Sequence, residues 1–352
     1  YTKLGPKVQE KFLPLNNLFQ NPRQKRTITW QNTERNGFLY FLPIKDISID
    51  NIKKTAARLT EDEEDFMLII NYALDVDQDK KYLNDVLLPE LSEEERKAFI
   101  FWFPTELSDK EFLKDALAKI ILKEKYADDS SDTGNKVRQQ LTDLIKEEKD
   151  RISKIFRDAY FNGQVINGFN EKLIELDNIG FLPFQRFLDK IAASLLKNRY
   201  PDHNKISPYK SYLSTERLDE VLDQFISKGD IDDLKEVSGR VISVIDSFMK
   251  PMNLIKKRKN GIRLTVEPGK NNLIKRVFHL LDEEKTRLEE VYWQLRKGSY
   301  GLTKIQFKLL IYSLLYSGYL TAYSANKKIS LNNLNARNFN RIKYLGYGEL
   351  ID

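Results

Sequence analysis

The sequence predicts an α+β chain: an α/β layer at the N-terminal end, a mostly helical middle, and a basic C-terminal part closing in a winged-helix-like module. Three observations carry this. The apolar strings FLYFLP (38–43) and FIFWFP (99–104), each stopped by proline, read as buried strands. Helical stretches separate the strands, which is the pattern of a mostly parallel sheet. Charge then divides along the chain. From Lys250 onward 20 Lys and Arg stand against 8 Asp and Glu, a net +12, while the remainder holds 38 against 44, a net −6. The parts are expected at 1–126, 127–250 and 251–352.

Taken in order, the opening segment carries Pro6, Pro14, Pro22 and the basic run NPRQKR, and TITWQ then alternates like a short strand. A helix is expected over 49–59, with Asp46, Ser48 and Asp50 available as caps. DFMLIINYAL (65–74) reads as a strand and 78–88 as a helix. Ser92 with Glu95, and Ser108 with Glu111, have capping-box spacing. FLKDALAKIILKEKY puts Phe112, Leu113, Ala116, Ile120 and Ile121 on one helical face. ADDSSDTGNK (127–136) reads as a loop before a long helix from Lys136 to Tyr160, rich in i,i+4 charge pairs.

YFNGQVINGF is a turn, a short strand and a turn. A helix over 173–197 aligns Phe184, Phe187, Leu188, Ile191 and Leu195. KNRYPDHNKISPYKSYLS is expected as loop, followed by helices at 214–228 and 231–249, the latter broken at Gly239. A helix over 272–296 should pack against the end module. There Thr303 caps a helix with Ile305, Leu309, Tyr312 and Tyr316 on one side, and Gly318 sits where a C-terminal glycine belongs. YLTAYSANKKISL then reads as a hairpin around Ser324-Ala325-Asn326.

Composition removes several chemistries. At 352 residues, 41% hydrophobic and 31% charged, the chain can bury two or three cores. With no cysteine there is no disulfide, thiolate zinc site, iron–sulfur cluster or thiol nucleophile, which fits a cytoplasmic setting. No apolar run reaches the ~18–20 residues of a membrane span. YTKLGPKVQEKF lacks the apolar core of a signal peptide. Residue 1 is Tyr, so a piece of a longer protein is expected.

A phosphate-cradling loop needs GxxxxGK[ST]. GPK (5–7), SDTGNK and EPGKNN (267–272) each lack part of it. Asp75 and Glu106 follow strands and could hold a metal, but without that cradle they read as capping or surface residues. His279 reads as a core or interface histidine and His203, beside Asp202, as a turn residue. Carboxylates such as Asp232 and Asp233 read as caps or solvated faces.

The basic cluster KKRKNGIRL is the strongest charge signal. Lys256, Lys257, Arg258 and Lys259 fall in a turn suited to phosphate contacts. Lys327 and Lys328 of the wing, with Arg337 and Arg341 among Phe339 and Tyr344, extend that surface. The helix that would read a groove offers Lys304, Gln306, Lys308 and Ser313, while its second half, LLIYSLLY, is apolar. That is closer to a protein-docking helix than to a sequence-reading one. Nonspecific nucleic-acid contact and protein docking both stay open.

KIFRDAYFNGQVI, LKNRYPDHNKI and YGLTKIQFKLLIYSLLYSGYLTAYSANKKISL, together with FLYFLP and FIFWFP, resemble one family. It is the large AAA-like ATPase of bacteriophage-exclusion (BREX) antiviral defence systems, the BrxC/PglY type, in the region downstream of its ATPase core. The resemblance implies a cytoplasmic, DNA-binding assembly with partners such as a DNA methyltransferase, and duplex DNA as a candidate ligand. Because the P-loop is absent, it implies a non-catalytic fragment. ATP and Mg belong to a longer parent, and no catalytic, cofactor or metal residue carries over. The expectation is therefore assembly contacts with nonspecific phosphate contacts. The alternatives are a pure interaction scaffold, or a nucleotide-dependent enzyme or hydrolase using Asp75 and Glu106.

Overall fold

The computed structural model describes residues 23–61, 63–73, 75–127, 130–174, 176, 184–208, 213–281, 285–325 and 327–350. The opening stretch with Pro6, Pro14 and Pro22 lies outside them. The fold is mixed α/β, in two units: 1–28 with 35–198, and 29–34 with 199–352. The breaks expected at 126 and 250 both fall inside units.

β1 (Arg23–Trp30) and β2 (Thr33–Phe41) form a hairpin, with 29–34 at its tip grouped with the second unit and the rest with the first. Its two linking residues, Gln31 and Asn32, have φ of 43° and 62°, the twist that suits a two-residue hairpin. β2 runs parallel to β3 (Glu64–Ile70), and β3 parallel to β4 (Phe99–Phe103). Two strands from beyond residue 126, β5 (Gln164–Asn167) and β6 (Lys172–Ile174), then extend the sheet antiparallel. Burial decides the sequence of each strand. β3 and β4 are buried at every position and read as continuous apolar runs. β2 alternates instead, and Phe38 and Tyr40 of FLYFLP are only half-buried.

Helices cover both faces. On one lie α1 (Ile49–Glu61), α2 (Val76–Tyr82, widening into a π turn over 83–87) and α3 (Glu93–Arg96). There Met67, Ile69, Phe99, Phe101 and Phe103 share a core with Ile52, Leu59, Leu83 and Leu87. The capping box of Ser92 and Glu95 forms as expected. After β4 come α4 (Lys110–Lys125), α5 (Asp132–Phe161) and α6 (Phe184–Arg199). The Trp102 ring packs 4.7 Å from Phe187, and its Nε1 donates to the Tyr160 carbonyl at 3.0 Å. Tyr160 Oη donates to the Asn71 carbonyl at 2.8 Å, and Asn71 N to the Trp102 carbonyl at 2.9 Å. Two of these bonds tie α5 to the ends of two central strands, and the third ties the strand ends to each other. Burial pushes the Tyr160 phenol well above its ordinary pKa, so it remains a donor.

Several expected boundaries move. The Ser108–Glu111 box does not form: α4 starts after Asp109, whose left-handed φ of 52° redirects the chain and whose carboxylate pairs with Arg151. Leu117 is buried where Ile121 was expected, and Ile121 is exposed. α5 begins within ADDSSDTGNK because Ser131 Oγ accepts from Gly134 N at 3.0 Å. Leu173 and Ile174, placed in a helix by the sequence, belong to β6, which pairs with β5.

The second unit holds α7 (His203–Ile206), inside the expected loop, and α8 (Thr215–Val221). Next come β7 (Asp230–Ile231), α9 (Gly239–Val244), β8 (Ile255–Lys257) and β9 (Ile262–Leu264). Gly239 opens α9 after the Ser238 cap rather than breaking a helix over 231–249. The helix expected over 272–296 is two, α10 (Asn272–His279) and α11 (Leu288–Lys297), with β10 (Thr286–Arg287) between them. α12 (Lys304–Tyr316) carries the capping box of Thr303 and Gln306. It ends at Gly318, φ 77°, with Tyr319 N on the Leu314 carbonyl at 3.0 Å and Gly318 N on that of Leu315 at 3.1 Å. β11 (Leu320–Ser324) and β12 (Lys327–Lys328) make the expected hairpin, and β13 (Tyr344–Tyr347) completes a sheet ordered β10-β13-β11-β12. Gln306, Phe307 and Leu309 to Leu315 are all buried, so α12 is the centre of this core. Among the described residues no helix is long and apolar enough to cross a membrane.

Tyr160→Phe keeps the ring and removes only the bond to Asn71. We expect a loss of about 1 kcal/mol, read as a lower unfolding midpoint in urea. An unchanged midpoint contradicts the role given to that bond.

Candidate nucleic-acid interface

β7, β9 and β8 form a three-stranded sheet in that order, with β8 at its edge. The register sets Ile255 opposite Leu264 and Lys257 opposite Ile262. Arg258 N donates to the Gly261 carbonyl at 2.8 Å and closes the loop. A Cβ at Gly261 would fall onto the Ile231 carbonyl oxygen, so only glycine lets the loop approach β7. Ile262 and Leu264 are buried, whereas Lys256, Lys257, Arg258, Lys259 and Arg263 are exposed.

The four cations expected in one turn are therefore divided, two on an edge strand and two in the loop. They are partly answered by carboxylates. Arg258 lies 2.8 Å from Asp230 and 3.6 Å from Asp232, and Lys257 lies 3.6 Å from Asp246. Exposed pairs of this kind contribute about 0–1 kcal/mol, so a phosphate can replace the carboxylate. Lysines on an edge strand also discourage pairing with another chain.

The other candidates stand on separate elements. Lys304 is exposed on the first turn of α12, its ammonium 6.0 Å from the Tyr292 ring centre. Lys308 donates to the Ala336 carbonyl at 3.0 Å and lies over Phe339. Arg337, next in sequence, is exposed 3.8 Å from Asp219, and Arg341 is also exposed. Lys327 and Lys328 are exposed on β12, with Lys328 3.1 Å from Glu349. Lys308 and Arg337 thus meet at one turn. Gln306 and Ser313, expected on a groove-reading face, are buried. α12 therefore presents neither a face for the major groove nor a free apolar face for docking.

The alternative catalytic residues are less well placed. Asp75 occupies the N-cap position of α2 without capping it, and Glu106 is exposed with Lys110 at 3.0 Å. Among the described residues no group of three or more His, Asp or Glu is arranged to hold a metal. His203 is fully buried rather than a turn residue, with Nδ1 2.7 Å from the Tyr300 carbonyl, so Nδ1 carries the proton. Its neighbour Asp202 accepts from Lys205 and Ser299, each at 2.6 Å, and these bonds hold its carboxyl below the ordinary value. His279 ends α10 exposed, not on the core face.

One polar cluster was missed by the sequence reading. Beyond the carboxyl ends of β2 and β3, buried Asp79 accepts from Asn71 Nδ2 at 2.9 Å and from Lys45 N at 3.1 Å. Asn71 Oδ1 accepts from Ile44 N at 2.9 Å. The available signal was that Asp79 shares the i, i+4, i+8 stripe of Leu83 and Leu87, so it had to point inward. The network fixes both loops at the edge where α/β sheets bind ligands. Burial is the main force raising the Asp79 pKa.

Ionising Asp79 therefore costs the fold. Its contribution is fully present below the ordinary carboxylate range and falls as pH rises through the raised value. As pH drops from 7 toward 4, melting temperatures should shift in favour of the parent chain relative to Asp79→Asn. Parallel curves contradict the assignment.

A scan against protein-family models finds no match, and searches of the curated proteins and of the solved structures find none.

Proposed function

We propose that the chain is a non-catalytic portion of a DNA-associated antiphage defence ATPase, supplying assembly contacts and nonspecific contacts to duplex phosphates. The observation that carries this is the exposed β8–β9 hairpin, five cations within a C-terminal third of net +12. The string resemblance to the BREX ATPases supports the defence setting. On that reading ATP and Mg act in a longer cytoplasmic parent, and a DNA methyltransferase is among the partners. The end module is read as winged-helix-like in element order, α12 followed by the β11–β12 wing.

A second reading, an interaction scaffold without nucleic acid, is favoured by one feature. Ile121 and Leu122 of α4 and Leu144 of α5 are 43 to 45% exposed, an apolar surface on two adjacent helices.

Titration of a labelled duplex at two salt concentrations separates the two. We expect binding at low salt that weakens steeply with salt. Replacing Lys256, Lys257, Arg258 and Lys259 by Gln should lower the log–log salt slope by about two to four. No binding at low salt, or a slope unchanged in the variant, overturns the DNA reading.

A further inference from the structure

The four-stranded sheet of the second unit places one row of side chains on a single face. Arg287 pairs with Tyr344, Tyr344 with Tyr323, and Tyr323 with Lys328. Directly opposed residues share a face, so an Arg–Tyr–Tyr–Lys line crosses the whole sheet. The adjacent row, Thr286, Leu345 and Ala322, is buried, with Leu345 and Ala322 in the core cluster. The tyrosine row therefore points away from the core. Both tyrosines are half-buried and neither belongs to the core cluster.

Lys285 holds its ammonium 4.4 Å from the Tyr323 ring centre. Two residues along the strands, the opposed pair is Thr321 and Gly346, both small and both buried. Arg287 lies 3.9 Å from Glu290 and Lys328 3.1 Å from Glu349; both are exposed pairs that phosphate can replace. The acidic triplet Asp282, Glu283 and Glu284 precedes Lys285 and lies outside the described residues. It sets negative charge next to Lys285 in sequence, so the rings have to carry much of the affinity.

We infer that this face binds single-stranded nucleic acid, with bases stacked on Tyr323 and Tyr344 and phosphates met by Lys285, Arg287 and Lys328. Aromatic rings on the face of a sheet away from its core, flanked by cations, fit unpaired bases of any sequence. A duplex keeps its bases stacked internally and offers these rings nothing. The site is separate from the β8–β9 hairpin and does not depend on duplex binding there.

The test uses the full chain with labelled oligothymidylate and oligouridylate of about 20 nucleotides, enough to cross one such face. Binding of either supports the inference, and the tighter one identifies the preferred sugar. Tyr323→Ala with Tyr344→Ala should weaken binding about tenfold or more, while the paired Phe variant should bind like the parent. Duplex binding should not change in the Ala pair, so failure here is distinct from failure of the duplex reading. A second variant, Arg287→Gln with Lys328→Gln, lies at the surface and should lower the salt slope by about two. The inference is overturned by no oligonucleotide binding at low salt, by an Ala pair or a Gln pair that leaves binding unchanged, or by capture of polyglutamate in place of both oligonucleotides.

Discussion

Strand β4 must be buried on both faces at once, and much of the first unit follows from that. FIFWF sends Phe99, Phe101 and Phe103 to the α1–α2 side and Ile100 and Trp102 to the opposite one. Neither face can be left to water, so a helical layer is needed on each. The polar backbone at the strand ends is satisfied without solvent: Trp102, Asn71 and Tyr160 exchange three hydrogen bonds. Pro104 follows directly, where no further ladder donor is required. The aromatic density of this string is thus explained by packing rather than by a substrate.

What the sequence revealed was mostly local. Strands β3 and β4 were legible because consecutive buried positions leave an apolar run, and β2 because its half-buried positions in FLYFLP are also apolar. The Ser92 box and the Thr303 cap were legible because capping is local to a few residues; that Gln306 completes a box with Thr303 was not read. Ser108 had the Ser92 spacing and failed, because Asp109 takes a left-handed backbone and engages Arg151. β6, β7 and β10 were missed because two or three residues give no usable periodicity.

Site features follow the same division. The cations at 256–259 were visible as a charge run, but their carboxylate partners Asp230, Asp232 and Asp246 come from other elements. The Asp79–Asn71 network joins two loops, and only an inward-pointing aspartate hinted at it. The Arg287–Tyr344–Tyr323–Lys328 row depends on register across four strands, set by tertiary packing. It had no signature in the linear string. Enclosure of α12 was foreshadowed by LLIYSLLY, though the consequence for docking was not: a helix apolar all round is used up by its own core.

On this account the second unit offers nucleic acid two chemically different surfaces, a set of lysines and arginines for phosphate and an aromatic row for bases. The most direct test is hydrogen–deuterium exchange of the full chain with and without nucleic acid. The account predicts slowed exchange over 255–263 with duplex, and over 285–287, 320–328 and 343–347 with a single strand. Exchange unchanged throughout, or slowed only in the first unit, would contradict it.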